Sequence, residues 1–67
     1  MNNSFKDKES VIVNGFGKNN NYSYKNKLAI IICRDPYFKD YNVKFENGIE
    51  DWIDEKYLKK TKRRVRK

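Results

Sequence analysis

The stretch Tyr41-Asn42-Val43-Lys44-Phe45-Glu46-Asn47-Gly48-Ile49-Glu50-Asp51-Trp52-Ile53 decides the fold class of this 67-residue chain. Its first half alternates apolar and polar side chains with a period of two, which is typical of a half-buried β-strand. Asn47-Gly48 follows at once, and this dipeptide beside an alternating segment is a strong signal for a β-hairpin. The stretch therefore predicts two antiparallel strands joined by a tight turn.

Two registers of this hairpin are compatible with the sequence. A two-residue turn pairs Phe45 with Glu50, whereas a three-residue loop with Gly48 in the left-handed conformation pairs Phe45 with Ile49. The second register collects the apolar side chains on one face, and one face is what a small sheet protein buries. We therefore predict the second register, which leaves Trp52 pointing outward.

Two apolar segments before the hairpin predict two further strands. Ser10-Val11-Ile12-Val13 is rich in β-branched residues, which favour a pleated sheet. It ends at Asn14-Gly15-Phe16-Gly17, where we predict a turn. The segment Lys27 to Arg34 is apolar on both faces and is expected in the middle of the core; its short length favours a strand over a buried helix. Between them, the polar segment Lys18 to Lys27 predicts a long loop.

The segments on either side of the hairpin predict turns and a short final strand. Asp35 to Asp40 contains a proline, which pushes the residue before it toward extended geometry, and Asp caps turns with its own side chain, so a turn is expected there. After the hairpin, Asp54 to Leu58 predicts one helical turn, with Asp54 capping its first amides. Lys59-Lys60-Thr61 is then a brief last strand, and the unpatterned residues 1–9 are expected to be frayed.

The order of these segments resembles that of SH3-like small β-barrels: short strand, long loop, apolar strand, turn, hairpin, helical turn and last strand. The best residue-level agreement is at Asp51-Trp52-Ile53-Asp54-Glu55-Lys56-Tyr57-Leu58. It resembles the SH3 signature of glycine, aromatic, aliphatic, proline, two variable or polar positions, tyrosine and aliphatic. The resemblance implies that Ile53 and Leu58 are core residues, and that Trp52 and Tyr57 lie at or near a ligand surface.

Val43 to Gly48 also resembles the distal hairpin of Tudor-like and related small barrels. Together the segments predict a single all-β domain. We expect a five-stranded SH3-like barrel at residues 10–61, with a long first loop and one 3-10 turn before the last strand. Residues 1–9 are expected to form a disordered N-terminus, and residues 62–67 a flexible basic tail.

The net charge of +7 is concentrated at one end of the chain. Seven of the 16 basic residues lie between Lys59 and Lys67, whereas residues 1–58 hold the other nine together with all nine acidic residues. A flexible polycation displaces counterions from nucleic acid and binds it without sequence preference. The alternative is a solubilising end of the chain. The predicted nucleic-acid-binding residues are Lys59, Lys60, Lys62, Arg63, Arg64, Arg66 and Lys67, joined by Lys25 and Lys27.

Aromatic residues outside the predicted core form a second candidate surface. Exposed aromatics stack on bases or bind a protein partner, and the alternative for each of them is to close the small core. The predicted partner-binding aromatics are Tyr22, Tyr24, Tyr37, Phe38, Trp52 and Tyr57. Among them, Trp52 is the residue most expected to be exposed.

The composition argues against catalysis. The chain has no histidine, the commonest general base and metal ligand. Its one cysteine, Cys33, lies in an apolar segment, where a buried structural thiol is expected rather than a nucleophile, and one cysteine without histidine excludes an ordinary zinc site. An acidic cluster can hold a hard cation, but hairpin pairing and helix capping explain it more simply. Its members are Glu50, Asp51, Asp54 and Glu55. No enzyme activity, cofactor or metal is therefore predicted.

Two functions stay open at this point. The first is a nucleic-acid-binding module for DNA or RNA, which the cationic C-terminus favours by a small margin. The second is a protein-binding module, such as an adaptor or an inhibitor that a phage or other mobile element directs against a host nuclease or defence enzyme; the neutral residues 1–58 favour it. No apolar segment is long enough to cross a membrane and no signal peptide is recognised, so a cytoplasmic location is expected.

Overall fold

The computed structural model describes residues 5–19 and 22–64. Its strands are β1 (Ser10–Phe16), β2 (Ser23–Arg34), β3 (Asp40–Phe45), β4 (Glu50–Asp54) and β5 (Leu58–Lys60), with one 3-10 turn at Glu55–Tyr57. Over the described ranges every regular element is a strand except that turn. The predicted all-β fold class, with five strands and a 3-10 turn before the last one, is therefore confirmed.

The strands form one antiparallel sheet in the order β4-β3-β2-β1-β5. The long strand β2 pairs with β1 along its first part and with β3 along its second part. Strands β4 and β5 are the two edges, and an isolated bridge between Gly17 and Ile53 joins the loop after β1 to β4. In the described part of the chain the sheet is therefore not closed into a barrel.

The β3–β4 hairpin has the predicted register. Tyr41 pairs with Ile53, and the Phe45 N–H donates to the Ile49 carbonyl at 2.8 Å. Gly48 has a φ of +90°, which places it in the left-handed region as expected. Its N–H donates to the Phe45 carbonyl at 2.9 Å. The three-residue loop is thus confirmed, because only this loop length pairs Phe45 with Ile49.

The core lies on the inner face of the sheet. In β1 and β4, and in β3 from Tyr41 onward, the buried residues recur at every second position, as a sheet covered on one face requires. The fully buried apolar residues are Val11, Val13, Ala29, Ile31, Tyr41, Val43 and Ile53. Ile53 and Leu58 are both core residues, as the SH3 resemblance implies.

Strand β2 is not buried on both faces, contrary to the prediction. Ile31 is fully buried, but Ile30 is only half-buried and Ile32 is 41% exposed. The pairing with β3 shifts register between Ile31 and Cys33, and among residues 5–19 and 22–64 no second layer of strands covers the outer side of the sheet there. Cys33 is exposed, so the prediction of a buried thiol is wrong.

The first loop is shorter than predicted. Strand β1 continues through Phe16, and β2 begins at Ser23, so the expected turn at 14–17 and much of the expected loop at 18–27 are strand. A register shift between Val13 and Gly15 lets β1 continue past the glycine, which lies directly against the Tyr57 ring. The polar composition concealed this part of β2, because nearly all of its side chains face solvent.

Residues 5–9 contact the sheet instead of fraying. Phe5 is buried and meets the Tyr41 ring edge to face at a centroid distance of 5.4 Å. The Lys8 N–H donates to the Ile31 carbonyl at 2.6 Å, and the Ile31 N–H donates to the Glu9 carbonyl at 2.9 Å. One apolar side chain and two backbone hydrogen bonds thus hold a segment that looked unpatterned in sequence.

Candidate nucleic-acid interface

A groove of about 1140 Å³ is formed by segments that are distant in sequence. It lies between the segment before β1, the middle of β2, the β3–β4 turn and the segment after β5. Its lining residues belong to 7–10, 30–32, 44–46, 48 and 61–64. We name this depression the basic groove.

The floor of the basic groove is apolar because of the sheet register. Ser10, Ile30 and Lys44 are cross-strand neighbours on the outer face of β1, β2 and β3. Ile30 therefore lies between two polar neighbours, and the exposed Ile32 extends the apolar surface along β2. The result is an isoleucine floor beside polar and charged side chains.

The rim of the basic groove carries an excess of positive charge. Five basic residues line it against three acidic ones. The basic residues are Lys8, Lys44, Lys62, Arg63 and Arg64, and the acidic ones are Asp7, Glu9 and Glu46. One of these carboxylates is already engaged: Glu9 accepts the Lys6 N–H at 2.9 Å and lies 3.3 Å from the Lys60 ammonium. The Lys6 hydrogen bond holds the pKa of Glu9 below its ordinary value, so it stays ionised and offsets Lys60.

The predicted basic residues separate into groups. Lys62, Arg63 and Arg64 line the basic groove together. Lys59 and Lys60 belong to β5 and are thus part of the sheet. Lys25 and Lys27 are exposed on β2 and lie outside the groove lining. Arg66 and Lys67 fall outside the described residues.

The predicted aromatics also separate. Tyr24 is buried and stacks on Phe45 at a centroid distance of 4.2 Å, so its prediction as a surface residue is wrong. Trp52 lies beside Asn42 on the outer face as expected. Its side chain is nevertheless half-buried, so it is less exposed than predicted and is not the most exposed aromatic. Tyr57 is also half-buried, and packs against the core. The exposed members are Tyr22, Tyr37 and Phe38.

A second depression, of about 630 Å³, brings Tyr22, Tyr24 and Lys27 together with Ile49. We name it the aromatic cleft. Tyr22 is 56% exposed, and its ring meets Tyr24 at a centroid distance of 4.9 Å. Phe45 and Glu46 line both the aromatic cleft and the basic groove, so the two depressions adjoin.

The turn between β2 and β3 holds Tyr37 and Phe38 in solvent; we name it the aromatic turn. The predicted Asp capping is confirmed, because Asp35 Oδ1 accepts the N–H groups of Tyr37 at 2.7 Å and Phe38 at 3.1 Å. Nearby, the Lys18 ammonium lies 2.7 Å from Asp40, a contact that raises the pKa of Lys18. Lys18 therefore has a carboxylate partner and is a poor phosphate ligand.

Asp51 has a buried structural role that its place in the acidic cluster did not predict. It is fully buried, and its Oδ2 accepts from the Tyr24 hydroxyl at 2.8 Å. Its Oδ1 accepts the N–H groups of Asn19 and Trp52, each at 2.8 Å. In the predicted register Asp51 faces inward opposite Val43, and a carboxylate at an inward position was the available signal.

The acidic cluster near the hairpin does not form a metal site in the described residues, where no group of three or more candidate ligands is placed to hold an ion. Asp51 is used in the interior, and Asp54 caps the 3-10 turn by accepting the Lys56 N–H at 3.0 Å. Asp54 therefore has the capping role that was expected, whereas Asp51 has interior partners instead of a hairpin ion pair.

Comparison with known proteins adds no relative: no protein-family model, no curated protein and no solved structure matches the chain. Among the residues that the structure describes, no helix is long and apolar enough to cross a membrane. What the protein binds must therefore be inferred from its own side chains and their placement.

Proposed function

We propose that this protein is a non-catalytic nucleic-acid-binding domain that takes a phosphate backbone into the basic groove. One observation supports this above all: Lys62, Arg63 and Arg64 line the same groove as Lys8 and Lys44. Cations from separate segments thus face one depression, and each phosphate that they neutralise releases counterions. Lys44 lies on the sheet and Lys8 lies on the segment before β1, so binding does not depend on the C-terminal segment alone.

We also propose that the sheet is of the SH3-like kind. The strand order β4-β3-β2-β1-β5 and the 3-10 turn directly before β5 support this assignment. Burial of Ile53 and Leu58 agrees with the aliphatic positions of the SH3 signature. Because folds of this kind serve many functions, the functional assignment depends on the groove.

The side-chain chemistry supports binding without catalysis. The sequence has no histidine, so a proton donor or acceptor with a pKa near neutrality would need a strongly perturbed group. The charged groups of the basic groove are lysines, arginines and carboxylates. One of those carboxylates, Glu9, is ion-paired with Lys60. These groups suit the recognition of a charged polymer.

A salt-dependent titration with single strands, duplex DNA and RNA tests the proposal. The groove variant Lys62→Gln/Arg63→Gln/Arg64→Gln removes three rim cations. We expect its slope of log K against log salt to be shallower by roughly 2 to 3 than that of the wild type.

The matched control removes the same charge from exposed lysines outside the groove. It is the variant Lys25→Gln/Lys39→Gln/Lys56→Gln, which we expect to change the slope much less. Equal losses in the two triple variants would show that net charge, rather than the groove, determines affinity, and the proposal would then be wrong.

A second function, binding to a protein, is favoured by the aromatic turn. Tyr37 is 87% exposed and Phe38 is 67% exposed, and both are held in place by Asp35. Aromatic residues are enriched at the centres of protein interfaces. Asp35 lies in the same turn, and its negative charge suits a partner with a basic surface, such as a host nucleic-acid enzyme.

Co-purification from the host tests this second function. We expect a stoichiometric partner to be retained by the wild type and by the groove variant, and to be lost from Tyr37→Ser/Phe38→Ser. Phe16→Ser, which removes an exposed aromatic on β1, is the control. Retention of the partner by the turn variant would exclude the aromatic turn as its binding surface.

A further inference from the structure

We infer that the nucleic acid in the basic groove is single-stranded and that Tyr22, in the aromatic cleft, stacks on one of its bases. The inference depends on the proposed function and specifies its ligand class. Its first support is that the two depressions adjoin, since Phe45 and Glu46 line both of them. One extended strand can therefore occupy the groove and reach the cleft.

The shape and the floor of the basic groove favour a single strand. A duplex keeps its bases paired inside and presents a convex row of phosphates, so it would contact the rim and leave Ile30 and Ile32 uncovered. A single strand can place base faces on these isoleucines while its phosphates meet the cationic rim. A bound single strand then contacts the apolar floor and the charged rim at the same time.

Tyr22 is held as a stacking platform. Its carbonyl accepts the Gly17 N–H at 2.9 Å, which fixes the backbone. Its ring meets the Tyr24 ring edge to face. The Tyr24 hydroxyl in turn donates a hydrogen bond to the buried Asp51 carboxylate at 2.8 Å. More than half of the Tyr22 surface nevertheless faces solvent. An aromatic ring that is fixed and accessible can stack on a base of any sequence.

The charges at the junction agree with a base at that point. Glu46 lies where the two depressions meet, and its carboxylate repels phosphate but accepts hydrogen bonds from the amino groups of bases. Lys44 lines the groove and Lys27 lines the cleft, so each depression offers a cation to a phosphate. A base at the junction, with phosphates in the two depressions, fits this distribution of charges.

Fluorescence anisotropy with a labelled single-stranded DNA oligonucleotide, and with the same strand annealed to its complement, tests the inference. We expect the single strand to bind at least about tenfold more tightly at equal salt. Tyr22→Ala should lower single-strand affinity roughly tenfold without changing the salt slope, and Tyr22→Phe should keep the wild-type affinity. Phe16→Ala, which removes an aromatic about as exposed as Tyr22 but outside both depressions, should have no effect.

The possible failures are distinguishable. Equal affinity for duplex and single strand would overturn the inference and leave the proposed function standing, whereas absence of binding to both at low salt would remove the proposed function itself. Unchanged affinity in Tyr22→Ala would overturn the stacking role. Because Tyr22 is exposed, its variants should keep the wild-type unfolding midpoint, and circular dichroism during thermal unfolding checks this.

Discussion

Two loops of the sheet, β1–β2 and β3–β4, are held in place by different means. The β3–β4 loop is closed by hydrogen bonds between Phe45, Gly48 and Ile49, which are neighbours in sequence. The β1–β2 loop has one local hydrogen bond, from the Gly17 N–H to the Tyr22 carbonyl, but it is also fixed from a distance: its Asn19 N–H donates to Asp51, 32 positions further along the chain. The β3–β4 loop can therefore form from its own residues, whereas the β1–β2 loop has its full set of hydrogen bonds only in the assembled sheet.

The basic groove, like the β1–β2 loop, depends on residues that are distant in sequence. Lys8, Lys44 and Arg63 come from three separate segments and meet only because β1, β2, β3 and β5 lie side by side. Binding is therefore expected to depend on the assembled sheet, and disruption of long-range contacts should affect both stability and affinity.

The largest predicted effect is on the loop that is fixed from a distance. Asp51→Ala leaves the Tyr24 hydroxyl and the Asn19 N–H without their carboxylate acceptor, and we expect a loss of about 4 kcal/mol in the free energy of unfolding. Urea denaturation measures it, and Asp51→Asn, which keeps the shape of the side chain, should lose less. A loss below about 1 kcal/mol would mean that this loop, too, is held locally.

Phe5 provides a second test of long-range contacts. Its ring is buried against Tyr41, 36 positions away, and Phe5→Ala should lower the free energy of unfolding by about 3 kcal/mol. The control is Phe16→Ala, in which an exposed ring is removed and little change is expected. Equal stability of the two variants would show that residues 5–9 are held as loosely as their sequence suggests.

A substitution in the β3–β4 loop should lower the free energy of unfolding less than Asp51→Ala does. Gly48→Ala places a Cβ at a φ of +90°, and no described atom beyond the neighbouring residues lies within 4 Å of it, so only backbone strain is added. We expect a cost of about 1 kcal/mol, partly recovered in Gly48→Asn because asparagine tolerates the left-handed region. The comparison between the loops would be reversed if urea denaturation found this variant less stable than Asp51→Ala.

The smallest effect concerns pH. The pKa of Glu9 is lowered from its ordinary value of 4.5 by the Lys6 N–H, so its stabilisation is present above that value and is lost as pH falls through the lower folded pKa. Glu9→Gln should therefore destabilise by roughly 0.5 kcal/mol at neutral pH and by almost nothing at about pH 2. Urea unfolding of both proteins at the two pH values measures the difference, and a deficit that grows toward low pH would contradict the assignment.

The sequence predicts those parts of the fold that depend on neighbouring residues. The Phe45–Ile49 loop, the Asp35 turn and the Asp54 cap all have the expected hydrogen bonds, because each depends on a few adjacent backbone groups. The exposure of Cys33 and the burial of Phe5 depend instead on which strands cover them, and no local pattern contains that information.

The candidate site, like the fold, could be predicted only where it depends on residues that are neighbours in sequence. The charge run containing Lys62 to Arg64 is evident in the sequence, but the contribution of Lys44 to the same groove follows from strand pairing. Tyr22 and Tyr24 look alike in sequence, and the partner that buries Tyr24 is Asp51 on a different strand. A bulge near Asn26, which has a φ of +51°, interrupts the period-two alternation in the first part of β2. The sequence pattern therefore could not show which of the side chains in that part of the strand face the core.

The most direct test asks whether the sheet and the C-terminal segment form one binding site. The slope of log K against log salt should be measured for a single-stranded oligonucleotide with the wild type, Arg63→Gln, Lys44→Gln and Lys39→Gln. We expect Arg63→Gln and the sheet-borne Lys44→Gln each to reduce the slope by about 0.7, and Lys39→Gln, outside the groove, to leave it unchanged. An unchanged slope in Lys44→Gln together with a reduced slope in Arg63→Gln would show that the C-terminal segment binds alone, in contradiction to a shared groove.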